Sequence, residues 1–191
     1  MYKRQTRDGP ITLATGAITI TTADDAINLQ GTVDGGQALT LSSGSAAVTV
    51  DGAIGSSTAL TSLTVNSSGA GTIEIANIGT SSAVGVSGAT AIGNTSTGTL
   101  TLDGTVYTTT GSQTYTAATG GGNIDITNTA GTTFTTTDTA IAFNTSGVDL
   151  ANNATTTIDT GTAAGNVTSQ GAIETNGSDN DILTVHLGQE L

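Results

Sequence analysis

Residues 18–50 read ITITTADDAINLQGTVDGGQALTLSSGSAAVTV, and this stretch shows a pattern that recurs along the whole chain. An aliphatic residue, one spacer and a second aliphatic residue stand between clusters of glycine, serine, asparagine and aspartate. This alternation places both aliphatic side chains on one face of a short extended strand, so the sequence predicts many short, half-buried strands. The pairs are Ile18/Ile20, Ile27/Leu29, Leu39/Leu41, Val48/Val50, Leu63/Val65, Ile73/Ile75, Val84/Val86, Leu100/Leu102, Ile124/Ile126, Ile141/Phe143, Val148/Leu150 and Leu183/Val185.

The pairs repeat at a nearly constant spacing. The number of residues from Ile18 to Leu39 is close to the number from Leu39 to Leu63. The spacing from Ile124 to Val148 equals the spacing from Leu39 to Leu63. Self-similarity at such a period is typical of solenoids. The sequence therefore predicts an all-β fold, a right-handed parallel β-helix of about 8 rungs of 21–25 residues, in which these residues stack on one another.

An antiparallel β-sandwich is the alternative fold. Asp34-Gly35 and Asp51-Gly52 suit the corners of a solenoid, but they also suit two-residue hairpin turns. The fixed period and the scarcity of aromatic residues favour the solenoid. One region resists assignment: the series continues from Leu63 to Val84, but the spacing breaks after Val84 and leaves Ile92 without a predicted partner.

Composition limits both the core and the partners. Aromatic residues make up only 3% of the chain, so we expect a narrow core of Ile, Leu, Val and Ala. The chain has 15 acidic residues, and its three basic residues all lie at or before Arg7. Such a body repels phosphate backbones and anionic lipid surfaces, which argues against nucleic-acid binding. No apolar run approaches the roughly 18 residues of a membrane-spanning helix, so we expect no membrane insertion by this segment.

The two ends are predicted to differ from the rest. MYKRQ at 1–5 holds two of the three basic residues, and the codons ATG TAT AAG AGA CAG would match the end of a transposon adapter used for sequencing libraries. We therefore expect residues 1–9 to be a non-native or unstructured start. Residues 10–191 are predicted to be a single β-solenoid segment, truncated at both ends.

Three stretches resemble a known class of proteins. DGAIGSSTALTSLTV at 51–65 resembles the repeating unit of filamentous-haemagglutinin-like and autotransporter-type β-strand-repeat exoproteins of Gram-negative bacteria. VYTTTGSQTYT at 106–116 resembles a second recurring unit of theirs, and GAIETNGSDNDILTV at 171–185 is similar in style. The resemblance implies a secreted or outer-membrane-tethered stalk or adhesin. Its partners would be a host-cell or matrix glycan or protein receptor and the adjacent rungs of the parent protein.

Calcium is the one cofactor that the sequence suggests. GGGNIDIT at 120–127 approximates the repeating unit of calcium-loaded β-rolls and includes Asp125. Asp179 and Asp181 flank Asn180 in a second oxygen-rich turn. Carboxylate and amide oxygens are the ligands that calcium prefers, so Asp125, Asp179 and Asp181 are the candidate metal ligands.

An enzyme of the polysaccharide-active β-helix type is the alternative function. Paired carboxylates for glycoside cleavage could come from Asp24/Asp25 or Asp179/Asp181, although their glycine- and serine-rich surroundings favour plain turns. His186 is the single histidine, and its phase relative to Val185 places it on the outward face of the last strand. The chain has no cysteine and nothing that resembles a nucleophile elbow. We therefore expect no catalytic residue and no enzymatic activity.

Overall fold

A computed structural model describes residues 5–175 and 180–188 and shows a right-handed parallel β-solenoid of about 7 turns. Each turn passes through three sheets in a fixed order, which we call sheets A, B and C. Every strand pairing among the described residues is parallel. The predicted parallel solenoid is therefore confirmed, and no antiparallel hairpin forms at Asp34-Gly35 or Asp51-Gly52.

The strands are short, mostly of three to five residues, because glycine-rich and polar corners interrupt them. In chain order they are β1 (Gln5–Arg7), β2 (Ile11–Thr12), β3 (Ile18–Thr21), β4 (Ile27–Leu29), β5 (Val33–Asp34), β6 (Ala38–Ser42), β7 (Val48–Val50), β8 (Ser62–Asn66), β9 (Ile73–Ile75), β10 (Thr90–Ile92), β11 (Leu100–Leu102), β12 (Val106–Thr108), β13 (Gln113–Thr116), β14 (Ile124–Ile126), β15 (Thr132–Thr135), β16 (Ile141–Asn144), β17 (Gly147–Leu150), β18 (Thr155–Asp159), β19 (Val167–Ser169), β20 (Ala172–Thr175) and β21 (Ile182–His186).

The three sheets run the length of the rod. Sheet A has the order β1-β4-β7-β9-β11-β14-β17-β20, and sheet C has the order β3-β6-β8-β10-β13-β16-β19. Sheet B begins with β2-β5 and ends with β12-β15-β18-β21. Single-residue bridges from Val33 through Ile54 and Ile78 to Tyr107 join its two parts. At about 4.8 Å per strand, sheet A extends roughly 34 Å.

Equivalent residues stack in columns along the rod, as the repeat predicted. Ile18 pairs with Leu39, Leu39 with Leu63, and Ile124 with Val148. The aliphatic residues of these columns point inward and form one continuous core. Parallel register places like side chains one strand spacing apart, so each turn packs against its own equivalents.

Turn length varies more than the sequence predicted. The turn that separates Ile78 from Tyr107 is much longer than the turn that separates Ile27 from Val48, and it exceeds the predicted period. Extra residues enter at the corners, and the strands keep their register. The prediction that the series continues from Leu63 to Val84 is wrong, because Leu63 pairs with Thr90. The unassigned Ile92 belongs to β10, whereas the predicted Val84/Val86 pair contributes only single bridges from Val86.

The core of the later turns is aromatic. Tyr107 stacks on Phe134 with ring centroids 4.9 Å apart, and Tyr115 stacks on Phe143 at 5.5 Å. Edge contacts connect the two stacks. Each stack joins residues of successive strands in one sheet, so the ladder itself creates the aromatic pair. The expected core of Ile, Leu, Val and Ala alone is therefore wrong here, since four of the five aromatic residues meet at one place.

A buried glutamine binds this aromatic cluster together. The Gln113 Nε2 donates to the carbonyl oxygens of Tyr107 and Thr135 at 2.8 and 2.9 Å, and to Thr109 Oγ1 at 3.1 Å. Its Oε1 accepts a hydrogen bond from the Tyr115 hydroxyl at 2.9 Å. Burial raises the pKa of Tyr115 well above its usual value, so this hydroxyl stays protonated and acts as a donor. The network satisfies the polar groups that the cluster encloses.

Corner glycines allow successive turns to approach closely. A Cβ atom at Gly52 would lie 2.0 Å from the Gly31 carbonyl oxygen of the preceding turn. Gly31 itself has the same relation to Gly9, so glycines stack at this corner. In Asp51-Gly52 the glycine is therefore required by close packing of backbones.

The first described strand lies inside the stretch 1–9. Residues 5–7 form β1, which pairs with β4. In this pairing Gln5 lies beside Ile27 and Arg7 lies beside Leu29. This part of the stretch is therefore ordered and continues sheet A. The non-native origin of these residues stays a prediction.

Candidate functional site

The most distinctive surface of the solenoid is an acidic row on the outward face of sheet A. Aliphatic residues at the first and third positions of these strands point inward, so the middle residue points outward. Parallel register then stacks the middle residues in one column, with four acids in its last five positions. The column consists of Thr6, Asn28, Thr49, Glu74, Thr101, Asp125, Asp149 and Glu174.

Asp125 and Asp149 are direct neighbours in this row. Burial and the neighbouring carboxylate of Asp149 both raise the pKa of Asp125 above its usual value. The Asn123 Nδ2 donates a hydrogen bond of 3.1 Å to Asp149 Oδ2. Because no lysine or arginine follows Arg7 in the chain, the two carboxylates have no basic partner to neutralise them.

A shallow cavity of about 230 Å³ adjoins this pair. Its lining includes carboxylate, hydroxyl and amide side chains as well as aliphatic ones. The lining residues are Asp125, Ile126, Thr127, Thr129, Asp149, Leu150, Ala151 and Asn152.

Further acids extend the row toward the start of the chain. Burial raises the pKa of Glu74, and the charges of Asp103 and Asp51 raise it further. The pKa of Asp103 is also raised, mainly by burial, and its Oδ1 is buried without a hydrogen-bond partner among the described residues. Negative charges therefore accumulate along one side of the rod, where the charges of Asp103 and Asp51 disfavour ionisation of Glu74.

Two of the three predicted calcium ligands, Asp125 and Asp181, lie in different parts of the solenoid. Asp125 lies in the row on sheet A, whereas Asp181 precedes β21 of sheet B and accepts a hydrogen bond of 2.6 Å from the Asn153 backbone N–H. Asp179 lies outside the described residues. Within residues 5–175 and 180–188, no group of three or more His, Asp or Glu side chains is arranged to hold a metal ion.

Other acids connect one turn to the next at the corners. Asp34 Oδ1 accepts hydrogen bonds from the backbone N–H groups of Ser57 and Thr58 at 2.7 and 3.2 Å. Asp138 Oδ1 does the same for Thr162 and Ala163 at 2.8 and 2.7 Å. These carboxylates satisfy backbone donors that the strands leave free.

Asp24, one of the residues proposed as a glycosidase pair, also has this structural role. Its Oδ1 accepts hydrogen bonds from the Ser45 hydroxyl at 2.6 Å and the Ser45 N–H at 3.1 Å. These bonds lower the pKa of Asp24. A carboxylate stabilised in its ionised form is poorly suited to donate a proton, so this site favours a turn over an acid catalyst.

His186 occupies the outward position that the alternation predicted. It pairs with Asp159 in the register of β18 and β21, and its side chain is exposed. The Asp159 Oδ1 accepts a hydrogen bond from the Gly161 N–H at 2.9 Å. Asp159 therefore binds the backbone of the corner that follows its own strand.

The acidic row was not predicted from the sequence, although the sequence contains a signal for it. The triplets IEI at 73–75, IDI at 124–126 and VDL at 148–150 each place an acid between two inward aliphatic residues. Their spacing matches the turn length, so the triplets alone predict an acidic column. The aromatic cluster has a weaker signal, because the step from Tyr107 to Phe134 is longer than the predicted period.

No helix among the described residues is long and apolar enough to cross a membrane. Comparison of the chain with protein-family models, with curated proteins and with solved structures finds no match. Its own geometry is therefore the basis for any functional proposal.

Proposed function

We propose that this solenoid is a stalk or adhesin segment of a large secreted or cell-surface repeat protein of a Gram-negative bacterium. It would mediate attachment or act as a spacer, and it would have no catalytic role. The observation that supports this proposal most directly is the unbroken register of sheets A and C while turn length varies at the corners. Such a rod gains length by adding turns, without a change in the cross-section that supports it.

The partners of such a segment follow from its surface. Adjacent turns of a longer solenoid would continue the sheets at its ends, and corners would contact a host-cell or matrix glycan or protein. The acidic row opposes binding of nucleic acid, because phosphate groups would meet a row without lysine or arginine. Placement at the outer membrane or outside the cell is part of the same proposal.

A change in the number of turns tests the spacer function. Ile124 takes the position of Leu100 one turn later, so tandem copies of residues 100–123 can be inserted without a break in register. Four added copies would lengthen the rod by about 19 Å, at about 4.8 Å per turn. With the chain displayed on a bacterial surface, the distance from the membrane to a distal label should increase in equal steps.

The matched control inserts half of this segment, a partial turn that cannot align sheet A with itself. We expect this variant to lose stability and not to extend the rod. Binding of displayed chains to host cells and matrix proteins separates an adhesin from a plain spacer. A display distance that does not respond to added complete turns would contradict the spacer function.

An ion-loaded or polysaccharide-active module is the second candidate, and the Asp125–Asp149 pair beside its cavity favours it. If the pair holds calcium, millimolar calcium should raise the melting temperature and equal magnesium should not. Asp149→Asn should abolish the difference, whereas Glu174→Gln in the same row should keep it. Turnover of pectin, alginate or glucan that is lost in Asp125→Asn would contradict the non-catalytic proposal.

A further inference from the structure

The corner between sheets A and B is longer in the two turns that contain β14 and β17 than in the turns before them. Fewer residues separate Leu102 from Tyr107 than separate Ile126 from Phe134, although both spans connect the same two columns. The next turn keeps the longer corner, at residues 151–154. The same side of the rod is therefore enlarged in two successive turns.

We call residues 127–131 and 151–154 the long corner. Its exposed side chains are mainly polar and include Thr127, Thr129 and Asn152. A threonine hydroxyl and an asparagine amide can each donate and accept hydrogen bonds. The long corner contains no charged and no aromatic residue. Its exposed groups therefore suit a ligand that is polar and has many hydroxyl groups.

Two cavities adjoin the long corner, and Thr129 lines both of them. The first is the cavity beside Asp125 and Asp149 on sheet A. The second has a volume of about 480 Å³ and lies over the outward face of sheet B, where the alternation of β15 and β18 directs threonine hydroxyls outward. Its lining includes Thr105, Thr129, Thr133, Asn153, Thr155 and Thr157. Together the two cavities give a polar surface that passes from one sheet to the next.

Hydrogen bonds to neighbouring turns hold the long corner in place. The Asn128 Nδ2 donates to the Asp103 carbonyl oxygen at 2.6 Å, and its Oδ1 accepts from the Ala130 N–H at 3.0 Å. The Asn153 N–H donates to Asp181 Oδ1 at 2.6 Å. Because these bonds exist without a ligand, binding would require little ordering of the backbone.

The lining of the cavities distinguishes between classes of ligand. A saccharide hydroxyl can donate to the carboxylates of Asp125 and Asp149, and it can donate to or accept from threonine and asparagine. A sialylated, sulfated or uronic-acid glycan would bring negative charge to carboxylates that no lysine or arginine neutralises. A protein partner would need a large apolar contact, but the nearby rings of Tyr107 and Phe134 are buried.

We propose that the long corner and its two cavities bind an uncharged oligosaccharide. The sugar chain would lie across Thr129, with one part beside Asp125 and Asp149 and another part over the threonines of sheet B. The two carboxylates would accept hydrogen bonds from sugar hydroxyls and would exclude acidic glycans. This inference rests on the adhesin part of the proposed function, for which it names the receptor class and the binding surface.

A glycan array tests the ligand class. The probes are neutral oligosaccharides of hexoses and N-acetylhexosamines, together with the same chains that carry sialic acid or sulfate. Residues 1–191 should bind one or more neutral probes and should bind their acidic derivatives at least tenfold more weakly. Binding should be unchanged in a calcium chelator, because side chains and not a metal ion would recognise the sugar.

Single substitutions locate the binding surface, with the neutral probe that binds most tightly as the ligand in calorimetry. Thr129→Ala and Thr155→Ala should each weaken binding by about twofold to tenfold, since each removes one hydrogen bond. Thr137→Ala is the matched control, because Thr137 is an exposed corner threonine outside both cavities. It should bind like the unmodified chain. Equal melting temperatures confirm that the variants are folded.

The carboxylates are tested by a separate variant. Asp125→Asn combined with Asp149→Asn removes the negative charge but keeps side chains that can bind hydroxyl groups. This variant should bind acidic derivatives more tightly than the unmodified chain does, so that the preference for neutral probes decreases. An unchanged preference would show that these two residues do not face the ligand.

Three results would overturn the proposal: no binding to any neutral probe, tighter binding to acidic probes, or equal losses in Thr129→Ala and Thr137→Ala. Adhesion of bacteria that display the chain is measured in parallel with the array. Adhesion to host cells without binding to any probe would overturn this inference and support the adhesin function through another surface. Absence of both would contradict the adhesin function as well.

Discussion

Sheets A and C follow the same rod with the same strand spacing, yet they differ on both of their faces. Inward, sheet A is aliphatic in its central turns, whereas sheet C adds Tyr115, Phe143 and the buried Gln113. Outward, sheet A carries the acidic row, while no strand of sheet C in the described part of the chain contains a charged residue. Register determines which residues stack, and the chemistry of each column determines whether stacking stabilises the rod. The sheets can therefore be perturbed separately.

The largest effect is expected at the inward face of sheet C. Tyr115→Ala removes a ring that stacks on Phe143 and contacts Tyr107 and Phe134 edge-on, so it should lower the free energy of unfolding by about 3–5 kcal/mol. Urea denaturation measures this change. Tyr115→Phe keeps the ring and loses only the hydroxyl, so its cost should be much smaller. Equal costs for the two variants would show that the aromatic contacts contribute little.

A second comparison lies within one column of sheet C, where Thr90 and Gln113 are neighbours. Gln113→Leu would leave the Tyr115 hydroxyl without its acceptor and would remove the side-chain donor to the Tyr107 and Thr135 carbonyl oxygens, and we expect a loss of about 1–3 kcal/mol. Thr90 is buried and its Oγ1 has no hydrogen-bond partner among the described residues. Thr90→Val should therefore leave the stability unchanged or increase it. A loss in Thr90→Val as large as in Gln113→Leu would contradict this account.

The pH dependence of stability tests the outward face of sheet A. The raised pKa values of Glu74, Asp103 and Asp125 mean that the folded protein binds protons at a higher pH than the unfolded chain does. Stability should therefore rise as the pH falls from 7 through the raised pKa values of these groups. Asp24 has a lowered pKa, so the stability that it contributes is lost below its usual value of 3.8.

We expect the melting temperature to increase on mild acidification and to decrease again in stronger acid. Glu74→Gln combined with Asp125→Asn should remove most of the increase. The matched control is Asp34→Asn at a corner, which should leave the increase in place. A melting temperature that falls steadily from neutral pH would show that the acidic row does not destabilise the rod.

The smallest effect compares one new lysine on each outward face. Thr101 lies between Glu74 and Asp125, so Thr101→Lys should stabilise the rod by about 0.2–1 kcal/mol. Thr64 lies between Thr40 and Ala91, and Thr64→Lys should have no such benefit. The difference should shrink in high salt, because screening weakens exposed pairs. Thermal denaturation at two salt concentrations measures it.

The sequence was sufficient to predict the regular part of the fold. A pair such as Leu39/Leu41 predicts both a strand and the face of it that points inward. The spacing from Leu39 to Leu63, which nearly equals the spacing from Ile18 to Leu39, predicts that these residues stack. The region after Val84 was not predictable in the same way. There the inward column passes through Thr90, a polar residue that breaks the aliphatic pattern while the backbone register continues.

The candidate site was less predictable than the fold. Asp125 was identified from a local resemblance to a calcium-binding repeat, but its actual neighbour is Asp149 in the next turn. This contact cannot be recognised from the sequence until the turn length is known, because the two residues are far apart along the chain. The aspartates at corners present a related difficulty, since Asp34 and Asp138 each accept hydrogen bonds from the following turn, far along the chain from the aspartate itself.

Each turn is hydrogen-bonded only to the turn before it and the turn after it, and this arrangement has a mechanical consequence. Tension along the rod acts along these bonds and peels away a terminal turn while the interior stays intact. The turn from Leu100 to Ile124 contributes about 4.8 Å to the folded rod but releases roughly 80 Å of extended chain when it detaches. Under load we therefore expect the solenoid to lengthen in discrete steps and to dissipate work at each one.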